Sequence, residues 1–529
     1  MQQVSLHRRT FLKLTAGLGA FAAGSGVSGL LSQDDFIAQA RVRGGSQALP
    51  LPVVQRGELK DGVRTYSLTV REGRHAFVAG ARAATIGVNG NYLGPVLRMR
   101  QGEKVRIRVR NALRETTTVH WHGMHLPARM DGGPHQQVKP GQTWEPAFEV
   151  RQPAATLWYH AHPHKRTGLH VWKGLAGPII IDDEEADALP LPREYGVDDI
   201  VLVLQDRLFG RDGELVYVQS MHDVMMGMEG DIALCNGVFM PAFEARRQRL
   251  RLRILNGANA SFYNIGFSDN RPFHVIATDG GLLPRPVERR RVLITPGERV
   301  EIVVEVGSEP FFLVSGGAAG AGESSGRRGG GGMMGGGMMG GGMMGRGMGG
   351  MMGGRSSVDL PPHTFLHIMP AERLEASPPL PERLVALPQA DARKADRVRR
   401  FDLQMGMGPM MMMGARAPFA INGKAMDMNV INEVVPLNST EIWEIRNRSP
   451  MPHPFHVHDV QFRVLTRNGR PVPAHEAGRK DTVLVDGGDV VRVLARFEDY
   501  ADEKHPYMYH CHILEHEDAG MMGQFTVVG

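Results

Sequence analysis

Residues 101–111 read Gln-Gly-Glu-Lys-Val-Arg-Ile-Arg-Val-Arg-Asn, a turn followed by strict alternation of apolar and charged side chains. Alternation with a period of two predicts a β-strand that has one face on a core and one face in water. Residues 250–254 and 300–304 alternate in the same way, and long helical periodicity is scarce. The chain is therefore predicted to be an all-β protein built from β-sandwiches.

The pattern of a turn, an alternating strand and a final Asn occurs three times along the chain. The first copy ends at Asn111, the second at Asn256 and the third at Asn447. A repeat longer than about 100 residues indicates duplicated domains, because solenoid repeats span only about 20–50 residues. The predicted domains span residues 50–185, 198–370 and 398–529.

The N-terminal residues 1–40 have the features of a targeting segment. Arg8 and Arg9 precede an apolar run over residues 14–31, and residues 38–40 form a small-residue cleavage site. This pattern predicts a signal peptide of the twin-arginine type, read by the twin-arginine export machinery. The run is rich in Gly and too weakly hydrophobic to span a bilayer, so we expect a periplasmic or extracellular mature chain without a stable membrane span.

Charge and cysteine content narrow the class of protein. A formal net charge of +5 over 529 residues gives no reason to expect a nucleic acid partner. The two cysteines, Cys235 and Cys511, could form one disulfide at most. Cys511 lies between two histidines and is predicted to bind metal, whereas Cys235 is predicted to be a small buried hydrophobic residue.

Four histidine blocks carry the chemistry. They are His120-Trp121-His122, His160-Ala161-His162, His453-Pro454-Phe455-His456-Val457-His458 and His510-Cys511-His512-Ile513-Leu514-Glu515-His516. Residues i and i+2 of a strand face the same side, so each His-X-His pair offers two imidazoles roughly 6–7 Å apart. In the last block Cys511 faces away from His510 and His512, and one short strand would thus join two metal sites.

The ligand types indicate copper. Imidazole alone suits zinc, iron or copper, but two His, one Cys and a weak axial Met indicate a blue-copper electron-transfer centre. Cys511, His516 and Met521 lie within one loop, and His453 can supply the second imidazole. The other histidines of the four blocks are numerous enough for a polynuclear cluster.

The four blocks, in this order and at opposite ends of the chain, resemble the signature of the multicopper oxidases. That family includes laccases and the periplasmic cuprous oxidases of copper tolerance. The resemblance implies three cupredoxin-like Greek-key β-sandwich domains and four copper ions. It also implies one-electron oxidation of Cu(I) or a small organic reductant, such as a phenol, coupled to four-electron reduction of dioxygen to water.

The resemblance further implies a division of the ligands. The type 1 copper would take His453, Cys511, His516 and Met521. The type 2 copper would take His120 and His456, and the type 3 pair would take His122, His160 and His512 together with His162, His458 and His510. Met522 is a rival axial ligand, but Met521 has the family spacing from His516.

Two acids are interpreted as proton donors. Asp131 follows the first histidine block, and Glu517 directly follows the copper ligand His516. Dioxygen reduction needs four protons at a buried cluster, and carboxylates are suitable relays. The alternative is structural, with Asp131 capping a Gly-Gly turn and Glu517 bonding backbone.

Methionine is concentrated in a run over residues 329–354 that contains almost only Gly and Met. Such a sequence cannot hold a packed core, so a loosely folded insertion is expected. Thioether sulfur favours Cu(I), and similar cuprous oxidases carry a Met-rich insertion between the second and third domains. The residues proposed to hold substrate copper are Met333, Met334, Met338, Met339, Met343, Met344 and Met451. Ser449 stands where those relatives carry an acid. The alternative for the run over residues 329–354 is a low-complexity insertion without a role in binding copper.

Two classes of function remain open. The first is an oxidase of Cu(I), with a general laccase that acts on phenols and aromatic amines as the alternative enzyme. The second is a non-catalytic copper-sequestering protein of the cell envelope, since some relatives with this fold have lost the copper ligands. The complete ligand set favours the oxidase.

Overall fold

The computed structural model of the chain describes residues 47–78, 81–316, 363–406 and 418–529. The predicted signal peptide and the methionine–glycine run lie outside these residues, and so do six of the seven proposed substrate-copper methionines; Met451 lies within them. Within the described ranges strands dominate, and they form three β-sandwich domains of two sheets each.

The first domain contains one sheet in the order β1-β5-β11-β10-β7 and a second sheet built around β2-β3-β6-β8, with β4 on β3 and β9 on β6. Its strands are β1 (Val54–Gln55), β2 (Glu58–Lys60), β3 (Val63–Val78), β4 (Ala81–Val88), β5 (Val96–Arg100), β6 (Lys104–Asn111), β7 (His120–His122), β8 (Thr143–Trp144), β9 (Ala147–Glu149), β10 (Ala155–His160) and β11 (Ala176–Asp182).

The second domain has sheets in the orders β15-β14-β12-β17-β22-β19-β20, with β13 on β12, and β16-β24-β23-β18-β21. Its strands are β12 (Asp199–Phe209), β13 (Leu215–Val216), β14 (Ile232–Cys235), β15 (Val238–Phe239), β16 (Ala242–Arg247), β17 (Arg249–Asn256), β18 (Tyr263–Phe267), β19 (Phe273–Thr278), β20 (Gly281–Arg289), β21 (Arg291–Ile294), β22 (Arg299–Glu305), β23 (Phe311–Ser315) and β24 (His363–Glu375).

The third domain has sheets in the orders β26-β25-β28-β33-β30-β31 and β27-β35-β34-β29-β32. Its strands are β25 (Arg397–Met405), β26 (Phe419–Ile421), β27 (Glu433–Pro436), β28 (Ser439–Asn447), β29 (His453–Val457), β30 (Phe462–Arg467), β31 (Arg479–Lys480), β32 (Thr482–Val485), β33 (Val490–Phe497), β34 (Asp502–Cys511) and β35 (Met522–Val528).

Short helices connect the strands. They are α1 (Thr167–Trp172), α2 (Glu184–Asp187), α3 (Met221–Met226) and α4 (Leu514–Asp518), with single 3-10 turns at Ala128–Met130, Ala392–Lys394 and Ala474–Glu476. Among the described residues, no helix has the length and apolar character that crossing a bilayer would need.

The repeat in the sequence corresponds to one structural motif that occurs in each of the three domains. A parallel pair joins β3 to β6, β12 to β17 and β25 to β28, and the second strand of each pair ends at Asn111, Asn256 or Asn447. Each of these Asn side chains donates to two backbone carbonyls and accepts from the amide two residues ahead. A buried amide that is satisfied in this way fixes the sharp exit of the chain from the strand.

The prediction of half-buried strands holds for β6, whose residues alternate between exposed and buried, and is wrong for β17 and β22. Arg251 and Arg253 are 6% and 4% exposed, because this face of the second domain packs on the first. Arg253 Nη1 donates to Thr156 Oγ1 of β10 at 3.0 Å and to Glu301 Oε1 at 3.0 Å. Asp199 holds the other side of the Arg253 guanidinium at 2.6 Å, so the buried charges are paired.

The main hydrophobic core of each domain lies between its two sheets. Cys235 is fully buried in the core of the second domain, as predicted, beside Leu204 and Leu234. Cys511 lies in the core cluster of the third domain with Phe455 and Met521. The predicted metal ligand thus occupies an apolar interior, where a thiolate requires a cationic partner.

Candidate metal centre

Two strand pairs carry the histidine blocks, one in the first domain and one in the third. β7 pairs antiparallel with β10 and brings the first two blocks together. β29 pairs antiparallel with β34, which sets His456 opposite His510 and Phe455 opposite Cys511. Neighbours along a strand point to opposite faces. Cys511 therefore faces the core of the third domain, while His510 faces the first domain.

The two domains meet through their imidazoles. The His120 ring stacks on that of His458 with centroids 3.8 Å apart, and the His122 ring stacks on that of His456 at 3.7 Å. The imidazoles gathered at this interface, each at most 1% exposed, are His120, His122, His160, His162, His456, His458, His510 and His512.

Ring nitrogens point at one another inside this cluster. The Nε2 atoms of His162 and His458 lie 3.3 and 3.2 Å from Nε2 of His510. Nδ1 of His122 lies 3.4 Å from Nε2 of His160. A neutral imidazole carries one N–H and one lone pair. Converging lone pairs from several rings are the donor arrangement that binds transition-metal ions.

Orphaned nitrogens provide a test of whether the residues fit copper. Nε2 of His120, Nε2 of His456 and both ring nitrogens of His512 are buried without a hydrogen-bond partner among the described residues. Nδ1 of His120 faces the Asp131 carbonyl oxygen at 3.0 Å, and Nδ1 of His456 faces the Asp481 carbonyl oxygen at 2.8 Å. These outer bonds fix the tautomer and leave the inner nitrogen its lone pair. The donor set fits copper ions bound at the centre of the cluster.

Burial favours the neutral form of His160, His162, His458, His510 and His512. Burial lowers the pKa of His512 to about 3 and that of His458 to about 4. Burial also lowers the pKa values of His160, His162 and His510 well below the usual histidine range. Because a metal ion competes with protons for the same lone pair, neutral rings are the form that binds it.

The two predicted acids lie at opposite sides of the cluster. Asp131 Oδ2 lies 2.7 Å from His458 Nδ1, and Asp131 Oδ1 lies 3.4 Å from His120 Nδ1. Glu517 Oε1 lies 3.2 Å from His162 Nδ1, and Glu517 Oε2 lies 3.2 Å from Nδ1 of His510. Each carboxylate thus contacts two rings of the cluster.

The surroundings of the two acids shift their pKa values in opposite directions. Burial raises the pKa of Asp131, but the imidazoles of His458 and His120 lower it by more, and the result is a pKa below the usual range. Burial and the neighbouring Asp518 carboxylate hold the pKa of Glu517 well above the usual range. The structure therefore presents one acid that favours the carboxylate and one that favours the protonated form.

A second, smaller group of candidate ligands lies in the core of the third domain. Cys511 Sγ lies 3.5 Å from His453 Nδ1 and 3.7 Å from His516 Nδ1. Burial raises the pKa of the Cys511 thiol, so the thiolate would need a bound cation to form here. Two imidazole nitrogens and one sulfur at these separations match the donor set of a blue-copper centre.

The strand register distinguishes the two methionines that follow His516. Met522 pairs with His510 and therefore shares the face of the histidine cluster. Cys511 N donates to Met521 O at 3.0 Å, and Met521 N donates to His516 O at 2.9 Å. Met521, which is fully buried, lies one residue out of phase with Met522 and shares the face of Cys511.

Comparison with known proteins identifies the family. Models of the multicopper oxidase family match residues 69–186 and 396–529. The multicopper oxidase mco of Staphylococcus haemolyticus is 32% identical over 471 residues, which cover 88% of this chain and 89% of that protein. The chain belongs to the multicopper oxidase family. Membership implies an oxidoreductase that uses copper, dioxygen and a reductant, and it supports the predicted cupredoxin-like fold.

Two further relatives carry different names. The cell division protein FtsP of Yersinia pestis is 34% identical over 525 residues, 99% of each chain. A solved structure of a laccase-like multi-copper oxidase CueO from Ochrobactrum sp., described as having oxidase activity towards lignin model compounds and lignosulfonate, superposes with a TM-score of 0.77. It is 36% identical and covers 91% of this chain and 100% of its own. The relatives of this chain thus include proteins named for oxidation and proteins named for cell division.

Both imidazoles beside Cys511 have outer nitrogens that bond to the chain itself. Ser449, the residue that replaces an expected acid, places its hydroxyl 2.7 Å from His453 Nε2. His516 Nε2 lies 3.1 Å from the carbonyl oxygen of Met225 in α3, and Phe419 stacks on the His516 ring at 4.2 Å. Met225 and Phe419 were missed by the sequence analysis, because neither belongs to a histidine motif or has a diagnostic spacing from one.

Asp481 and Arg299 were also missed, and they position two rings of the cluster. Asp481 Oδ1 lies 2.9 Å from His122 Nε2 and accepts from Arg299 Nη1 at 2.8 Å. The Asp481 carbonyl oxygen accepts from His456, as described above. Arg299 lies on β22 and is 1% exposed. The second domain contributes none of the histidine blocks, yet through Arg299 it orients a ring from each of the other two domains.

Replacing Arg299 by Met should leave the Asp481 carboxylate buried without its partner charge. Removing one partner of a buried ion pair costs about 3–5 kcal/mol of unfolding free energy. Urea unfolding followed by tryptophan fluorescence measures this loss, and copper content after reconstitution should fall with it. Arg393→Met is the matched control, because the Arg393–Asp391 pair lies on the surface. Equal stability of the two variants would contradict the assigned role.

Proposed function

We propose that this chain is a copper oxidase that takes single electrons from a reductant and reduces dioxygen to water. The observation that supports this proposal best is the position of Cys511, which faces His453 and His516 on one side of the chain. Its neighbours His510 and His512 belong to the histidine cluster on the other side. Four electrons, four protons and one dioxygen molecule give two water molecules. Electrons accepted beside Cys511 would reach the cluster through one residue of backbone in either direction.

The proposed copper ligands follow the family division. The type 1 copper would be held by His453, Cys511, His516 and Met521. The type 2 copper would be held by His120 and His456, whose ring centroids are 5.8 Å apart. One type 3 copper would be held by His122, His160 and His512, and the other by His162, His458 and His510. The nitrogens of the last three converge to within 4.8 Å of one another, which supports this grouping.

Proton supply is proposed to run through the two acids. Glu517 contacts His162 and His510, and Asp131 contacts His458 and His120, so the carboxylates border the cluster from two sides. Both are at most 2% exposed, and protons must cross this shell to reach reduced dioxygen. Acids at these positions can hold and deliver protons without opening the site to water.

The proposed reductant is Cu(I), with a role in copper tolerance, and phenols are the alternative. Thioethers in residues 329–354 and Met451 support Cu(I), because sulfur ligands select it over Cu(II). The relative from Ochrobactrum, described as acting on lignin model compounds, supports the phenols. A steady-state comparison of Cu(I) and a phenol on copper-loaded protein, at equal dioxygen, ranks the two.

A non-catalytic role in the cell envelope is the second candidate, supported by the identity with FtsP over nearly the whole chain. Oxygen uptake separates it from the oxidase. Copper-loaded protein that consumed no dioxygen with either Cu(I) or a phenol would support the non-catalytic role. Location in the periplasm or outside the cell, reached by twin-arginine export, is part of both proposals and rests on Arg8 and Arg9.

Deleting residues 329–354 should separate the two reductants. If the thioethers capture Cu(I), the deletion lowers the rate with Cu(I), while the rate with a bulky phenol stays the same or rises, because a phenol does not need thioether ligands. Both rates are measured by oxygen uptake on the same copper-loaded preparation. An equal fall with both substrates would mean that the segment supports the fold.

A further inference from the structure

Helix α3 of the second domain is built against the type 1 ligands. Its residue Met225 offers the carbonyl oxygen that lies 3.1 Å from His516 Nε2. A capping box holds the helix in place, with Ser220 N donating to Asp223 Oδ2 at 3.0 Å and Asp223 N donating to Ser220 Oγ at 3.4 Å. Gly227, with a φ of 86°, then ends the helix.

The outer side of this helix carries soft ligands. Met221 is 64% exposed and Met226 is 45% exposed, while Met225 is half-buried between them and the core of the third domain. The His222 side chain is 80% exposed. On a helix, residues four apart are neighbours, so Met221 lies beside Met225 and His222 lies beside Met226.

Isolated exposed methionines are ordinary surface residues and need no explanation. Here three thioethers and one imidazole share one helix of six residues, and the backbone of that helix bonds to a type 1 ligand. Thioether and imidazole nitrogen together suit Cu(I) better than the oxygen-preferring cations. The partly exposed Asp223 carboxylate adds negative charge beside the same residues.

We propose that α3 is the site where Cu(I) binds and delivers its electron, with Met221, His222, Met225 and Met226 as ligands. The Cu(I) ion loses one electron and leaves as Cu(II), which thioethers hold poorly. The electron would pass through the Met225 carbonyl and the His516 ring to the copper that His516 would hold. This inference rests on the proposed oxidase function, and it places substrate capture on described residues, separate from residues 329–354.

The test replaces Met221 and Met226 together by Leu, a change that conserves volume and removes the sulfur. Met369→Leu is the control, because Met369 is partly buried on β24 and pairs with Glu244 away from α3. Ag(I), which binds as Cu(I) does but is not oxidised by the enzyme, is the binding probe. Its affinity for copper-loaded protein is measured by equilibrium dialysis on the full-length chain and on the 329–354 deletion, which separates binding at α3 from binding by the other thioethers, and the blue absorption is recorded for each variant.

The double variant should bind Ag(I) about 10–100-fold more weakly, the usual cost of disturbing a metal site. Its KM for Cu(I) should rise by a similar factor, while the blue absorption and kcat/KM for a phenol stay at the wild-type values. Unchanged Ag(I) binding and unchanged KM in the double variant would overturn the proposal. If wild-type protein fails to consume dioxygen with Cu(I), the proposed oxidation of Cu(I) is wrong, whereas loss of Ag(I) binding in the variant would still support a metal site on α3.

Discussion

Cys511→Ser should abolish both the intense blue absorption of the oxidised protein and its oxidase activity. A hydroxyl oxygen cannot replace the thiolate–copper bond that gives a blue centre its character. The Cys511 side chain is fully buried between His453 Nδ1 and His516 Nδ1, at 3.5 and 3.7 Å. No other cysteine of the chain lies in the third domain to substitute for it.

The fold should survive this change. The backbone bond from residue 511 to Met521 does not involve the side chain, and serine differs from cysteine by one atom. Visible absorption, copper content and oxygen uptake measure the outcome, with loss of one copper site and retention of the rest. Cys235→Ser makes the same chemical change in the core of the second domain and should keep the blue colour. A Cys511→Ser variant that stayed blue would exclude the type 1 assignment.

Local sequence patterns were sufficient to predict the class of fold. Strict alternation over residues 101–111 produces β6, because a sandwich strand exposes one face to water. The three terminal asparagines recur since each domain needs the same buried amide to turn the chain out of a strand. Histidines two apart on β7 face one side, which is why the blocks could be read as ligands before the domains were docked.

Contacts between domains could not be predicted in the same way. Arg253 looks like an exposed residue of an alternating strand until Thr156 of another domain covers it. Arg299 and Asp481 are separated by 182 residues, and Met225 and His516 by 291, so no local period or spacing connects them. Single charged or backbone groups of this kind carry no motif, and only docking of the three domains shows that they surround the histidine cluster and Cys511.

Replacing either of the two acids that adjoin the histidine cluster is expected to slow reoxidation of the reduced protein by dioxygen. Glu517→Gln and Asp131→Asn keep the shape of the side chain and its capacity to accept a hydrogen bond, but remove the group that gains and loses a proton. Both variants should retain copper and the blue centre, since neither residue contacts Cys511 in the described chain. Electrons should still be accepted at the normal rate.

Reoxidation by dioxygen should then slow by roughly 10²–10⁴-fold, the usual effect of losing a positioned acid or base. Glu515→Gln is the matched control for Glu517. Glu515 is a buried carboxylate two residues away, but it accepts from Tyr217, Asn259 and the Met228 amide and not from the cluster. Its reoxidation rate should stay near that of the wild type.

A stopped-flow experiment distinguishes proton delivery by the two acids from a purely structural role. Fully reduced protein is mixed with dioxygen, and the return of the blue absorption is followed for the wild type and the three variants. Slow return in Glu517→Gln and Asp131→Asn, with normal return in Glu515→Gln, supports proton delivery by the two acids. Normal return in all three would show that the acids only hold the rings of His162, His510, His458 and His120 in place, and that another group carries the protons.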